Sequence, residues 1–324
     1  MVIPLSSSDS SSVTRRTFTS TFPKEVRPKA PPIKSQGIKT KLVPFIFRSF
    51  SWDMRKGTWI EPFVGSGAVA FNAAPRCVIA ADSNRHLIRF YQSIKDGRIT
   101  PSTTRRFLES EGEKLAKKGE DHYYAIRSRF NKDEDPLDFL FLSRACFNGM
   151  IRFNSKGGYN VPFCRKPERF RGAYITKIVN QVGWVSAVMK HADWQFIVQD
   201  WRVTLGDARS NDFVYVDPPY IGRHTDYFNS WDEKEADALA ASLRALPCGF
   251  AYSMWSRNRY RENEHLQRWF SDYPIVATDH FYHVGPQETL RNAMEEALVV
   301  SPKSALPHTE MERRKKALQL ELGL

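Results

Sequence analysis

The stretch FVYVDPPY, residues 213–220, is a run of strand formers that stops at a carboxylate, two prolines and a tyrosine. Asp217 brings the carboxylate. Pro218 brings a backbone carbonyl on a chain stiffened by two rings, with no N–H to compete for it, and Pro219 helps to lock its direction. Two fixed acceptors can hold both hydrogens of an aromatic amino group, such as that of adenine, out of the ring plane. The nitrogen lone pair, otherwise delocalised into the ring, then becomes able to attack a methyl donor. Tyr220 adds a face on which a base taken out of its helix can stack. A plain turn after a strand is the bland alternative, because Pro-Pro is common in turns.

Two other strand ends weigh against that alternative. In EPFVGSGAVAFN, Gly65 and Gly67 allow a tight turn and a close backbone approach to a ligand. The spacing lacks the third glycine of the dinucleotide fingerprint and, by itself, also fits an ordinary strand-to-helix turn. In CVIAADSN, Asp82 ends the next strand, where an acid can accept both hydroxyls of a ribose or simply cap a helix. Together, a glycine turn and an acid-ended strand suggest a cofactor that carries adenosine.

The elements that must hold these ends in place are legible from pattern. WIEPFVGSGAVAFNAA, CVIAADSN and HLIRFYQSIKDG read as strand–turn–helix, strand and helix. WQFIVQDW, DFVYVDPPY, GFAYSMW and ALVVS read as further strands, with the helical DEKEADALAASLRAL between the second and third. Alternation of this kind predicts an α/β fold with a mostly parallel sheet covered on both faces. Residues 101–190 differ: they are mainly helical and basic, with RFNSKGGYNVPF as a β-hairpin turning at Lys156-Gly157-Gly158. The chain therefore divides into a Ser/Thr-rich basic tail (1–30), a first catalytic part (31–100), an inserted recognition domain (101–190), a second catalytic part (191–303) and a charged helix or tail (304–324).

With 324 residues and 41% apolar content the chain can bury a large core, and its net charge of +12 favours a polyanionic partner, nucleic acid before membrane. Four scattered cysteines fit neither a zinc site nor a disulfide framework, which points to a reducing, cytoplasmic setting. The inserted block supplies what duplex recognition needs. Phe147 can wedge into a base stack, Asn148 can bond a base or phosphate, Met150 can touch a thymine methyl, and Arg152 can read guanine. Packing of Phe147 and Met150 into a local core is the competing reading. Lys156, Arg165, Lys166, Arg169 and Arg171 suit phosphate contacts.

In order, the blocks IKSQGIKTKLVP, EPFVGSGAVAFN, ADSN, SRACFNGMIRFNSKGGYNVPF, QDW and VDPPY resemble the D12 class of DNA adenine-N6 methyltransferases, the Dam-type enzymes. The resemblance runs from about Pro32 to Ser301 and implies a Rossmann-like class I methyltransferase fold, S-adenosylmethionine as cofactor, no metal and double-stranded DNA as substrate. It implies that Glu61, Phe63, Gly65 and Gly67 line the methionine end of the cofactor and that Asp82 holds its ribose. Asp200 would accept from the cofactor's adenine, Trp201 would lie against that ring, Lys39 would reach the site, and Asp217 would border cofactor and base. Lys34, Arg144 and Pro162 would join Phe147, Asn148, Met150 and Arg152 at the DNA. This chain departs from the family's Lys-Trp-x-Gly-Gly-Lys block, reading Lys34-Ser35-Gln36-Gly37-Ile38-Lys39. An RNA base methyltransferase and a catalytically impaired DNA-binding protein are the rival classes. The hairpin block counts against the first, and intact glycines, Asp82 and Asp217 against the second. A closing loop with Tyr227 or Phe228 on the flipped base competes with ordinary loop packing, and contacts of Arg291 and Asn292 to the DNA backbone compete with capping of the helix-strand junction. The resemblance also admits a cognate restriction endonuclease as partner.

Overall fold

The structure, a computed structural model, describes residues 27–35, 37–220, 231–257, 262–281 and 293–306. Most of the N-terminal tail, the loop with Tyr227 and Phe228, the pair Arg291 and Asn292, and the C-terminal stretch past residue 306 lie outside the described residues.

Seven strands form one sheet: β1 (Trp59–Glu61), β2 (Cys77–Asp82), β3 (Asp193–Val198), β4 (Phe213–Val216), β5 (Gly249–Arg257), β6 (Ile275–Phe281) and β7 (Ala293–Val300). Their order is β3-β2-β1-β4-β5-β7-β6. The first five in that order pair in parallel, and β7 runs antiparallel between β5 and β6. β4 is buried along its whole length, as an unbroken apolar strand at the centre of a parallel sheet must be. The order reverses at β1, between β2 and β4, so the carboxyl ends of these three strands open onto one crevice. All three chemically suggestive strand ends meet there.

The sequence reading has no strand at β6, whose Thr278, Asp279 and His280 dilute its apolar pattern. It also extends β3 through Trp201. The strand stops at Val198 instead, because Asp200 caps a new helix by accepting from Arg202 N at 2.8 Å.

Ten α-helices are described: α1 (Val43–Arg48), α2 (Ala68–Ala73), α3 (Arg85–Lys95), α4 (Pro101–Lys118), α5 (Glu120–Asp133), α6 (Pro136–Ala145), α7 (Gly172–Met189), α8 (Trp201–Gly206), α9 (Glu233–Arg244) and α10 (Glu264–Phe270). Local chemistry starts several of them. Asn84 accepts from the backbone of His86 and Leu87 to cap α3, and Thr100 and Thr103 form a capping box ahead of Pro101 in α4. Asp135 caps α6 just before Pro136.

The helices α4–α7 sit between β2 and β3 in the chain, yet they share the sheet's core. A single apolar cluster includes Phe71, Val78 and Phe90 from the sheet side and Leu108, Phe139 and Val182 from the inserted helices. Within it Phe71 stacks on Trp194 of β3, rings 4.8 Å apart and 6° from parallel. The hairpin is pared down to a single bridge, Phe153 to Tyr159. Its turn is set by Asn154, whose side-chain oxygen accepts from Lys156 N and Gly158 N, and by Gly157 at φ +78°.

Candidate active site

Asp217 stands at the end of β4, and a buried cation meets it. Lys39, 3% exposed on a short 3-10 turn (Lys39–Leu42), places Nζ 3.2 Å from Asp217 Oδ1. The same ammonium donates to the Tyr220 hydroxyl at 2.6 Å and lies 3.6 Å from Glu296 Oε2. Tyr220 in turn donates to Glu296 Oε2 at 2.7 Å. Burial pushes the Asp217 carboxyl up to about 6, Lys39 pulls it down, and the negative charge of Glu296 adds to the rise. Pro218 is buried, and Pro219 and Tyr220 are half-buried. Beside them a narrow slot is walled by Trp231, Tyr252, Met254 and Trp255.

The glycine turn follows β1. Gly65 at φ +49° and Gly67 at φ +69° take the left-handed conformation that an L side chain resists. A Cβ on Gly67 would lie 2.5 Å from the Phe71 ring, while nothing lies within 4 Å of a Cβ placed on Gly65. Asp82 fastens this turn: its Oδ2 accepts from Gly65 N at 2.9 Å and its Oδ1 from Asn84 N at 2.8 Å. The helix-cap alternative for Asp82 fails, because Asn84 caps α3; Asp82 instead orders the glycine turn at the end of β2. Burial raises its pKa. Glu61 is 2% exposed and accepts from Trp59 Nε1 at 2.9 Å; burial pushes it up to about 8, with Asp217 adding to the rise, so it is mostly neutral at pH 7. Phe63 is half-buried, edge-on to Trp231 at 5.4 Å.

Asp200 and Trp201 part company. Asp200 is exposed at the sheet's β3 edge as the cap of α8. Trp201 is 4% exposed; its indole donates to Glu235 at 3.3 Å and the Arg202 guanidinium sits 4.3 Å over its ring. The Arg202 guanidinium thus covers one face of the indole.

The DNA-directed residues also separate by burial. Phe147 is 47% exposed on a tight turn in which Asn148 and Gly149 both have positive φ, +52° and +69°. Asn148 is exposed, and Met150 is half-buried against the core. Lys34 lies directly against Gly149, so the N-terminal segment and this turn form one surface. Arg152 is half-buried and donates to Asn160 Oδ1 at 2.7 Å. Lys156, Pro162, Arg165, Lys166 and Arg171 are exposed, the last in an ion pair with Glu168.

Arg144 and Arg169 face inward instead. Arg144 is 6% exposed and donates to Pro32 O at 2.6 Å, Pro31 O at 3.2 Å and Gln181 Oε1 at 2.6 Å. Arg169 donates to Arg144 O at 2.9 Å and to the Tyr174 hydroxyl at 2.9 Å. In this structure both act as struts within the protein. Sequence reasoning missed Glu296 altogether, although a carboxylate inside the apolar pattern of AMEEALVV was a signal.

Among the described residues no cluster of His, Cys, Asp and Glu is built to hold a metal ion, and no helix is long and apolar enough to cross a membrane.

The family described as D12 class N6 adenine-specific DNA methyltransferase matches residues 35–284, and the chain belongs to it. It is 31% identical over 199 residues to a DNA adenine methylase of Serratia marcescens, covering 57% of this chain and 68% of that protein. A DNA adenine methylase of Haemophilus influenzae is 34% identical over 59% of this chain and 63% of its own length. The type II methyltransferase M.FokI of Planomicrobium okeanokoites is 28% identical over 75% of this chain, which spans only 39% of that longer relative.

Proposed function

We propose that this protein methylates the N6 amino group of an adenine extruded from double-stranded DNA, with S-adenosylmethionine as methyl donor. The observation that carries the reading is the position of Asp217-Pro218-Pro219-Tyr220 at the sheet's point of reversal, beside the Gly65–Gly67 turn. The residues fit the cofactor: a backbone turn open at Gly65, an acid at the end of β2, and a sheet order that sets both strand ends on the same side as Asp217. Asp82 would hold the ribose, and Glu61, Phe63 and the glycines would line the methionine end. Bound there, S-adenosylmethionine supplies an electrophilic methyl group.

The chain's own residues prepare the acceptor. Asp217 takes one amino hydrogen and the Pro218 carbonyl the other, which restores the lone pair to N6. Tyr220 supplies the stacking face. No base need act before transfer, because the methylated nitrogen is strongly acidic and loses its proton afterwards; Asp217, held near pH 6, is placed to receive it. Lys34, Phe147, Asn148, Met150, Arg152 and Pro162 would face the duplex, with Lys156, Arg165, Lys166 and Arg171 on phosphates.

The test is transfer of labelled methyl from S-adenosylmethionine to unmodified plasmid DNA, followed by mapping of methylated adenines. Label on adenine at one short motif is the expected result, and Asp217→Ala should cost on the order of 10²–10³-fold or more in rate. Label on RNA alone, or normal turnover in Asp217→Ala, would overturn the reading.

A further inference from the structure

Glu296 is a carboxylate set into an apolar strand. It lies in β7 opposite Trp255 of β5 and Thr278 of β6, and is 1% exposed. A charge so far from water persists only with partners. Its partners include the ammonium of Lys39 and the hydroxyl of Tyr220, both of which also belong to the proposed acceptor site.

One buried cation therefore serves two carboxylates. Lys39 Nζ lies 3.2 Å from Asp217 and 3.6 Å from Glu296, with the Tyr220 hydroxyl accepting from the first and donating to the last. An ammonium on Oδ1 draws charge from the carboxylate and weakens the acceptor that Asp217 offers at its other oxygen. Asp217 accepts best when Lys39 shifts away, and Lys39 can do so only without becoming a lone buried charge. Glu296 is the counter-ion to which it can shift while staying buried. Its hold on the Tyr220 hydroxyl also fixes the direction of the ring that stacks on the base.

We propose that Glu296 is a positioning residue: it takes up the Lys39 ammonium and anchors Tyr220, so that Asp217 is released to the incoming amino group. This rests on the reading that Asp217 receives the adenine.

Among the described residues, the groups that face Asp217 are Lys39 from the N-terminal segment, Glu61 from β1, Tyr215 from β4, Tyr252 from β5, Glu296 from β7, and Tyr220. Glu61 and the buried tyrosines are held toward their neutral forms, so the charges that set Asp217 are Lys39 and Glu296.

Glu296→Gln keeps the shape and removes the charge. In the full chain without ligand, the carbon-13 carboxyl titration of Asp217, assigned with Asp217→Asn, should move to lower pH. The acid limb of the methylation rate should move the same way, while kcat/KM for duplex DNA falls by roughly 10–100-fold, as for a lost charged hydrogen bond. Glu296→Asp keeps the anion at shorter reach. It should leave the Asp217 midpoint raised and lower kcat, and it serves as the test should the glutamine variant fail to fold. An unmoved Asp217 midpoint with a rate loss equal at every pH would make Glu296 a structural residue and overturn the proposal, as would full activity in Glu296→Gln. Should wild type methylate no adenine while the midpoint still moves, the charge link stands and the assignment of the reaction fails.

Discussion

Lys34 lies across the face of Gly149, so closely that a Cβ added to the glycine would sit 2.6 Å from Lys34 Cδ. Gly149 also holds φ +69°, which costs a side-chain-bearing residue on the order of 1–2 kcal/mol. Two distant parts of the chain, the N-terminal block and the Phe147–Gly149 turn, are thus made into one surface by the absence of a methyl group. Gly149→Ala should displace Lys34 and weaken duplex binding, with S-adenosylmethionine affinity unchanged. Lys34→Ala should do the same, and the double variant should be no worse than the poorer single one. Additive losses in a binding titration would show that the two positions act separately.

Asp82 is bonded twice to the backbone before any ligand arrives, through Gly65 N and Asn84 N. Asp82→Ala removes the proposed ribose acceptor and loosens the glycine turn as well. Cofactor affinity measured by calorimetry should drop by more than the roughly 10–100-fold expected for a single charged hydrogen bond. Asp82→Asn keeps one acceptor oxygen and should fall between. Hydrogen exchange at the Gly65 amide should quicken in the alanine variant; unchanged protection would mean that the turn stands without the carboxylate.

The guanidinium of Arg144 is spent on backbone carbonyls at Pro31 and Pro32 and on Gln181. Arg144→Lys keeps the charge but not the planar fork, and leaves at least one buried carbonyl without its donor. Stability should fall by about 1–3 kcal/mol in denaturant. A phosphate contact predicts instead that lysine substitutes well and that alanine lowers the salt dependence of DNA binding by about one ion.

These cases mark what a sequence can and cannot disclose. β4 and its Asp217-Pro218-Pro219-Tyr220 end were legible because a continuous apolar run specifies a central parallel strand, and the chemistry sits at its terminus. The glycine turn and Asp82 were legible for the same reason. Glu296 was not, because its meaning lies in contact with residues 39 and 220, far away in the chain. Arg144 was expected at the DNA from the family resemblance alone, and the carbonyls that occupy its guanidinium lie too far away in the chain to be read beside it. Trp201 was read as part of a strand, since WQFIVQDW has strand composition throughout; one capping bond from Asp200 turned it into a helix start. The hairpin was placed correctly, but its turn depends on the Asn154 side chain, two residues before the Lys156-Gly157-Gly158 stretch that reads most strongly as a turn.

His86 gives the helical block a pH dependence of its own. It is 3% exposed, stacked on Phe153 at 4.9 Å and edge-on to Phe130 at 4.9 Å, and neither ring nitrogen has a protein partner among the described residues. Burial lowers its pKa from 6.5 to about 4; Glu134 opposes the shift, and Arg85 and Arg89 add to it. The unfolded chain therefore takes up a proton at a pH where the folded protein does not. The contribution is complete above about pH 6.5 and is lost as pH falls toward about 4, amounting to about 2 kcal/mol by pH 5. Urea denaturation should show this decline in wild type and a flatter profile in His86→Phe, the difference between the two isolating His86 from the carboxylates. Equal slopes for the two proteins would mean that His86 gains a partner, such as a water, and keeps its proton inside the fold.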